Sequence, residues 1–326
     1  MKTIALFFGG PGNEAKVSIM SAQYVATHFD YKKYKLILIY WSRNKNFYIV
    51  DNFFDIKKPS NRIKEDQFKG VFDIALLMTH GKYGEDGALQ RILEKAKVQY
   101  CGSGVKASAL CMDKARTKKL LVKHHIKQVR FEVINLNITT TKQIDKKINI
   151  IKNNYELPLF VKPANSGSSV GITKVVKFSQ LPKAIKTASL YDKKILIEQG
   201  LVNPREIEVG VLGNKKLTIS EPGELILSKQ FYDYNDKYIS NKTKISIPAK
   251  LTSTEIYKIK KLAAKVYRIC DCGGFARIDF FITNNTIYFN EINTLPGFTK
   301  FSMYPNLMMN MGMSFKQLLS KIITLA

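Results

Sequence analysis

Apolar residues follow two rhythms over the first 110 positions. "TIALFFGG", "KLILIYW" and "FDIALLMTHG" are short apolar runs closed by glycine or polar residues, which predicts strands. Between them, "EAKVSIMSAQYVATHF" sets Val17, Met20, Tyr24 and Val25 near helical spacing, and "GALQRILEKAKV" predicts a second helix before a short strand at "QYCGSG". Strand–helix alternation predicts a parallel sheet with ligands at the carboxyl ends of its strands. "GGPGNE" and "HGKYGEDG" sit at such ends, and GGPG does not follow the dinucleotide pattern G-x-G-x-x-G.

The rhythm changes near residue 112. "MDKARTKKLLVKHHI" predicts one helix with Asp113 near its start, followed by a strand at "RFEVINL" and a lysine-rich helix behind a threonine-rich cap. Two β-like runs then flank the stretch "KPANSGSSVG". A P-loop places its lysine after the glycines, at the start of a helix. Here Lys162 precedes the loop, so a Gly/Ser hairpin joins two strands. Beyond residue 191 come "ILIEQGLV", "REIEVGVLGN", the polar and aromatic "KQFYDYNDKYISNKTKISIPA", a helix over about 253–269 and the hairpin "ARIDFFITNNTIYFNEIN". The expected units are 1–111, 112–190 and 191–326. No internal repeat interrupts them.

The last hairpin carries the strongest chemistry. Residues two apart in a strand share a face. Arg277 therefore goes with Asp279, and Glu291 with Asn293. A three-residue loop (Asn284, Asn285, Thr286) sets Asp279 opposite Glu291 and Arg277 opposite Asn293, whereas a two-residue loop puts the carboxylates on opposite faces. In the first register two carboxylates and a carboxamide form an oxygen cluster suited to Mg²⁺. The flanking positions are apolar, so a solvated surface pair is the weaker reading.

Composition narrows the field. The chain has 326 residues, 45% of them hydrophobic, enough for two or three domains with sizeable cores. No apolar run reaches the roughly 18 residues of a membrane span, and the N-terminus reads as a strand rather than a secretory leader. The net charge of +26 raises nucleic acid as a partner, but the lysines are spread through helices, loops and strand ends without a recognition motif. The four cysteines lack zinc-ligand spacing and read as reduced thiols. His28 is expected to cap a helix, His124 and His125 to be solvated, and the run Met308, Met309, Met311, Met313 to pack in the core.

A lysine before a Gly/Ser hairpin, followed by a carboxylate hairpin, resembles the ATP-grasp architecture. The whole chain resembles the D-alanine:D-alanine ligases, from "FFGGPGNEAKVS" through "THGKYGEDG", "YCGSGVKASALCMDK", "FVKPANSGSSVGI", "REIEVGVLGN" and "FYDYNDKY" to "NEINTLPGFTKFSMYP". The resemblance implies an α/β and α+β ATP-grasp fold behind a Rossmann-like preATP-grasp domain. It implies an enzyme that joins two D-alanines through an acyl phosphate for peptidoglycan synthesis. ATP is then a substrate, two Mg²⁺ or Mn²⁺ ions are cofactors, and the protein is a cytoplasmic homodimer with no specific nucleic-acid or membrane partner. D-Lactate or D-serine as acceptor remains an alternative, as does a basic nucleic-acid-binding protein on the same fold.

The resemblance also implies roles. Lys114, Lys162 and Lys237 meet ATP phosphates, and Ser169 belongs to the loop over them. Glu198 and Leu201 form the hinge at the adenine, and Glu206 holds the ribose. Asp279, Glu291 and Asn293 are the metal ligands. Glu14 holds the first ammonium, with Ser168 and Tyr238 in its hydrogen-bond network. Arg277 and the Gly297 N–H form the oxyanion hole. His80, Ser302 and Met303 lie at the amino-acid substrates. Lys16, where an acid is often found, is expected to be exposed.

Overall fold

The first apolar run becomes β1 (Thr3–Gly9), whose residues Ile4 to Phe8 are fully buried. A computed structural model of the chain describes residues 1–226 and 244–326. In it β1 lies parallel to β2 (Lys35–Trp41) and β5 (Ile74–Leu77). β3 (Phe47–Val50), β4 (Arg62–Ile63) and the short β6 (Gln99–Tyr100) complete the order β4-β3-β2-β1-β5-β6. α1 (Ala15–Thr27) and α2 (Ala88–Lys95) are the expected helices.

The buried stripe of α1 differs from the expected one. Met20 is exposed, and two serines, Ser18 and Ser21, are buried beside Val17 and Val25. Periodicity counted apolar residues, but the helix packs where small hydroxyls satisfy backbone groups. Ser18 Oγ accepts from the Gly9 N–H at 2.8 Å and donates to the Met78 carbonyl at 2.6 Å.

The helix expected with Asp113 near its start is α4 (Lys114–Lys123), and a separate helix, α3 (Val105–Met112), precedes it. Asp113 divides them because its carboxylate accepts the Arg116 N–H at 3.0 Å, an N-cap that restarts the helix. β7 (Phe131–Asn135), α5 (Thr141–Asn154), β8 (Leu159–Pro163), β9 (Thr173–Val175), α6 (Leu181–Ser189) and β10 (Lys194–Gln199) follow. They build an antiparallel sheet ordered β7-β10-β8-β9, and the Gly/Ser loop does join two strands. A division at 190/191 separates β10 from its own sheet, so strand pairing favours a boundary near residue 200.

β11 (Arg205–Leu212), β12 (Thr218–Ile219), β13 (Gly223–Ile226), β14 (Lys244–Ser246), α7 (Ser253–Ile269), β15 (Phe275–Thr283) and β16 (Thr286–Asn293) form the third unit, ordered β14-β13-β11-β15-β16 with β12 beside β11. The closing helices α8 (Met303–Met309) and α9 (Phe315–Thr324) send Tyr304, Met308, Phe315 and Leu318 into the core of the first sheet. Met308 is core, as expected of the methionine run, but Met311 is exposed. His28 caps α1, while His124, His125 and Lys16 are exposed.

The β15–β16 loop has two residues, not three. Thr283 pairs with Thr286, and Asn284 and Asn285 both take positive φ, +46° and +57°, as a type I′ turn requires. Asp279 nevertheless faces Glu291, because a bulge between Asp279 and Phe280 leaves Asn290 as the extra residue and restores the alternation. The face-sharing expected from the sequence is present, through a different device. Replacing Asn285 by Ala should cost about 1 kcal/mol in urea unfolding, and by Gly close to nothing, because glycine adopts a left-handed backbone without strain while alanine lacks the short polar side chain that lets asparagine tolerate it.

Candidate active site

Two adjoining cavities hold the predicted residues. The larger, about 800 Å³, lies between the middle and third sheets and is lined by Lys114, Lys162, Ser169, Glu198, Leu201 and Glu206 among others. Phe160 and Lys162, two apart on β8, turn one face toward it, and β10 brings Glu198 alongside. The Glu198 carboxylate forms ion pairs with two lysines, Lys162 on one oxygen and Lys118 of α4 on the other. Burial pushes the Glu198 carboxyl up, but Lys118 and Lys162 more than offset this and hold it at about 2.

Glu208, Arg277, Asp279 and Glu291 border the same cleft from β11, β15 and β16, and Asn293 of β16 lines the smaller pocket beside it. Arg277 donates to both Asp279 oxygens, at 2.8 and 2.7 Å, and its Nε lies 2.8 Å from Glu208. The Asn293 amide donates to Asp279 at 3.1 Å. Burial pulls the Arg277 pKa down, yet Asp279 and Glu208 raise it further, so the guanidinium stays charged. Among the described residues no cluster of three or more His, Cys, Asp or Glu forms a metal site. The third oxygen donor here is the amide of Asn293. Two carboxylates and a carboxamide fit a hard divalent cation, and each carboxylate already faces a cation, Arg277 or Lys114.

The smaller pocket, about 130 Å³, opens at Glu14, just ahead of α1. Glycines make room for this carboxylate: a Cβ on Gly81, at φ +67°, would lie 1.9 Å from its Oε2, and one on Gly167 3.0 Å away. Ser168 donates a hydrogen bond to the other oxygen. Burial and the nearby Glu85 raise the Glu14 pKa, more than Ser168, His80 and Lys114 lower it. Ser168 and Ser169 both hold positive φ, +49° and +59°, a conformation costly for residues with a Cβ and often found at functional loops.

His80 is fixed at both ring nitrogens. Nδ1 lies 3.1 Å from the Leu295 carbonyl and Nε2 3.0 Å from Ser21 Oγ, and that hydroxyl accepts the Phe298 N–H at 3.3 Å. The segment carrying Gly297 is thereby fastened to α1. Ser302 Oγ accepts the Thr299 N–H at 2.9 Å, and Met303 packs with Leu225 and Leu307.

Lys114 borders both cavities, its ammonium 2.9 Å from the Ser166 carbonyl and 3.2 Å from Glu291. All sixteen predicted site residues within the described chain line one cavity or the other. Lys237 and Tyr238 lie outside the described residues. Sequence reasoning missed four partners: Glu208, Lys118, Ser21 and Glu85. Glu208 was legible as the same-face neighbour of Glu206. Nothing in "KARTKKLL" separates the buried Lys118 from the exposed Lys119 beside it.

Models of the D-Ala–D-Ala ligase N-terminus and C-terminus match residues 3–103 and 120–324. A D-alanine–D-alanine ligase of Caldicellulosiruptor bescii is 42% identical, over 99% of this chain and 94% of its own. One from Wigglesworthia glossinidia brevipalpis is 40% identical, over 99% and 98%. Among solved structures, a D-Ala:D-Ser ligase from Enterococcus faecalis superposes with TM-score 0.88 at 34% identity, covering 99% of both chains. The D-alanine–D-alanine ligase of Coxiella burnetii gives 0.85 at 30%, covering 100% and 95%.

The ion pairs of Glu198 set a pH signature. Its pKa falls from an ordinary 4.5 to about 2 on folding. A depressed carboxylate contributes stability that is complete above the unfolded value and is lost as pH falls toward the folded one, here roughly 3 kcal/mol in all. The stability difference between wild type and Glu198→Gln should stay flat from pH 7 to about 5 and narrow below about 4.5, read by chemical denaturation at each pH.

Proposed function

The chain belongs to the D-alanine–D-alanine ligase family, and from that premise we propose which residues carry its reaction. The enzyme is an ATP-dependent ligase that joins two D-alanines for peptidoglycan synthesis. The observation that supports the residue assignment is the meeting of the two cavities: Lys114, Gly167, Ser168, Glu208, Arg277 and Glu291 line both. An amino acid in the small pocket therefore faces a nucleotide in the large one.

Glu14 takes the ammonium of the first D-alanine, an opposite charge that keeps the carboxylate ionised in a buried site. The substrate carboxylate then points toward the nucleotide cleft. A free carboxylate is a poor acyl donor, and transfer of the γ-phosphoryl group makes it a good one. Lys114 and Lys162 offset phosphate charge, Glu206 holds the ribose, and Leu201 and the Glu198 backbone border the adenine. Asp279, Glu291 and Asn293 hold Mg²⁺ or Mn²⁺, which supplies positive charge against the phosphate oxygens.

The second D-alanine lies near Ser302 and Met303. Its amine loses a proton to the polar network around Ser168 and Tyr238 and attacks the acyl carbonyl. The charge that develops on that oxygen is met by Arg277 and the Gly297 N–H. Arg277 can serve because Glu208, 2.8 Å from its Nε, also holds it. The preATP-grasp unit covers 1–111, and the two ATP-grasp units divide near 200. A cytoplasmic homodimer completes the proposal, and light scattering on the purified chain tests the stoichiometry.

ADP release should require ATP and D-alanine, with D-serine, D-lactate and L-amino acids far poorer, and D-alanyl-D-alanine should be the product. Silence with D-alanine sinks the reading. In the same assay Glu291→Gln should lose on the order of 100-fold in turnover, about 3 kcal/mol of barrier, while still binding nucleotide. The raised pKa of Glu14 gives a second expectation. Below that pKa the carboxyl is neutral and cannot hold an ammonium. The kcat/KM for D-alanine should therefore fall on the acid side at a pH above the usual carboxylate range. Glu14→Gln should be poor at every pH and lack that limb.

A further inference from the structure

Lys118 does not line the nucleotide cleft, yet it is 1% exposed and makes one of the two ion pairs to Glu198. A buried lysine is costly unless a partner compensates it. Its ammonium is 2.7 Å from Glu198 Oε1, and the rings of Phe131 and Phe289 lie 5.9 and 5.7 Å away. The Gln128 amide donates to its backbone carbonyl at 3.0 Å. The ammonium is thus walled off from the cleft, on the far side of the carboxylate from Lys162.

The charges of this trio decide what a nucleotide meets. Lys162 and Glu198 alone would be a closed neutral pair, with the carboxylate directly behind the ammonium offered to phosphate. Adding Lys118 gives two positive charges against one negative. We propose that Lys118 is a positioning residue for nucleotide binding: it neutralises Glu198 from behind, so that Glu198 can orient Lys162 without cancelling its charge toward the phosphates. The proposal rests on Lys162 meeting ATP phosphate, as assigned above. Glu198 thereby acts as a rigid bracket between two lysines, one structural and one facing the ligand. The depressed Glu198 pKa, set by the two lysines together, agrees with this pairing, while burial lowers the Lys118 pKa more than Glu198 raises it.

The test is equilibrium binding of ATP without D-alanine, by calorimetry, alongside steady-state kinetics. Lys118→Met should weaken ATP binding about tenfold or more and raise the KM for ATP, with kcat and the KM for D-alanine little changed. Lys118→Gln, whose amide can still donate to Glu198, serves as a second neutral variant should the methionine variant not fold. The decisive arm is Lys118→Met with Glu198→Gln, which restores a single uncompensated positive charge and should recover ATP affinity to within a few-fold of wild type. A residue that only packs predicts the double variant to be no better than the single, and that result overturns the proposal. Wild-type ATP affinity in both neutral single variants overturns it too. Lys162→Met separates the two levels. If it weakens ATP binding while the Lys118 variants do not, Lys118 alone is misassigned; if it leaves ATP binding unchanged, the nucleotide-site assignment falls and takes the proposal with it.

Discussion

The ammonium of Lys114 is where the three sheets meet. It is the first residue of a helix that its neighbour Asp113 caps, and its own N–H is fixed to the Ala164 carbonyl at 3.0 Å. The side chain reaches the Ser166 carbonyl in the phosphate-type loop and Glu291 in the carboxylate hairpin, and it feels Glu85 and Glu14 from the first unit. Burial alone would lower its pKa, but those carboxylates more than compensate, so it stays charged. The first and third units share one core, and the acids that each unit brings to the junction meet at this cation.

The rest of the site follows the same logic. Asp279 faces Arg277, Glu198 faces Lys118 and Lys162, and Glu291 faces Lys114. Groups proposed to hold phosphate, metal and amino acid hold one another in this structure. Buried charges left alone would be costly, and these internal pairs offset one another. Asp279 and Arg277 illustrate the exchange. The cation proposed at Asp279 would compete with the guanidinium, while Glu208 also holds Arg277.

Space is the second constraint. Glu14 occupies a slot that exists because Gly81 and Gly167 have no side chain, and the Gly81 backbone has a φ only glycine adopts easily. Ser168 then closes over the carboxylate from a loop whose consecutive serines are held in a left-handed conformation. The loop borders both cavities through Gly167 and Ser168.

The sequence by itself determined the elements and their chemistry. Apolar runs and helical spacing located the parallel sheet, the β-hairpin loop behind Lys162 and the acid-bearing hairpin, because period and residue type are local properties. The quoted motifs identified the family for the same reason. Tertiary structure decided what local rules cannot. A two-residue turn with Asn284 and Asn285 fits the sheet twist, so the register at Asp279 and Glu291 had to be recovered by a bulge at Asn290. Ser18 and Ser21 displaced Met20 from the buried face of α1 because backbone groups of other strands needed hydroxyl partners there. Lys118 became a buried ion beside the exposed Lys119 only because β10 brings Glu198 to it from 80 residues away. Burial and pairing are set by neighbours distant in the chain, and so they are written in the fold rather than in any one segment.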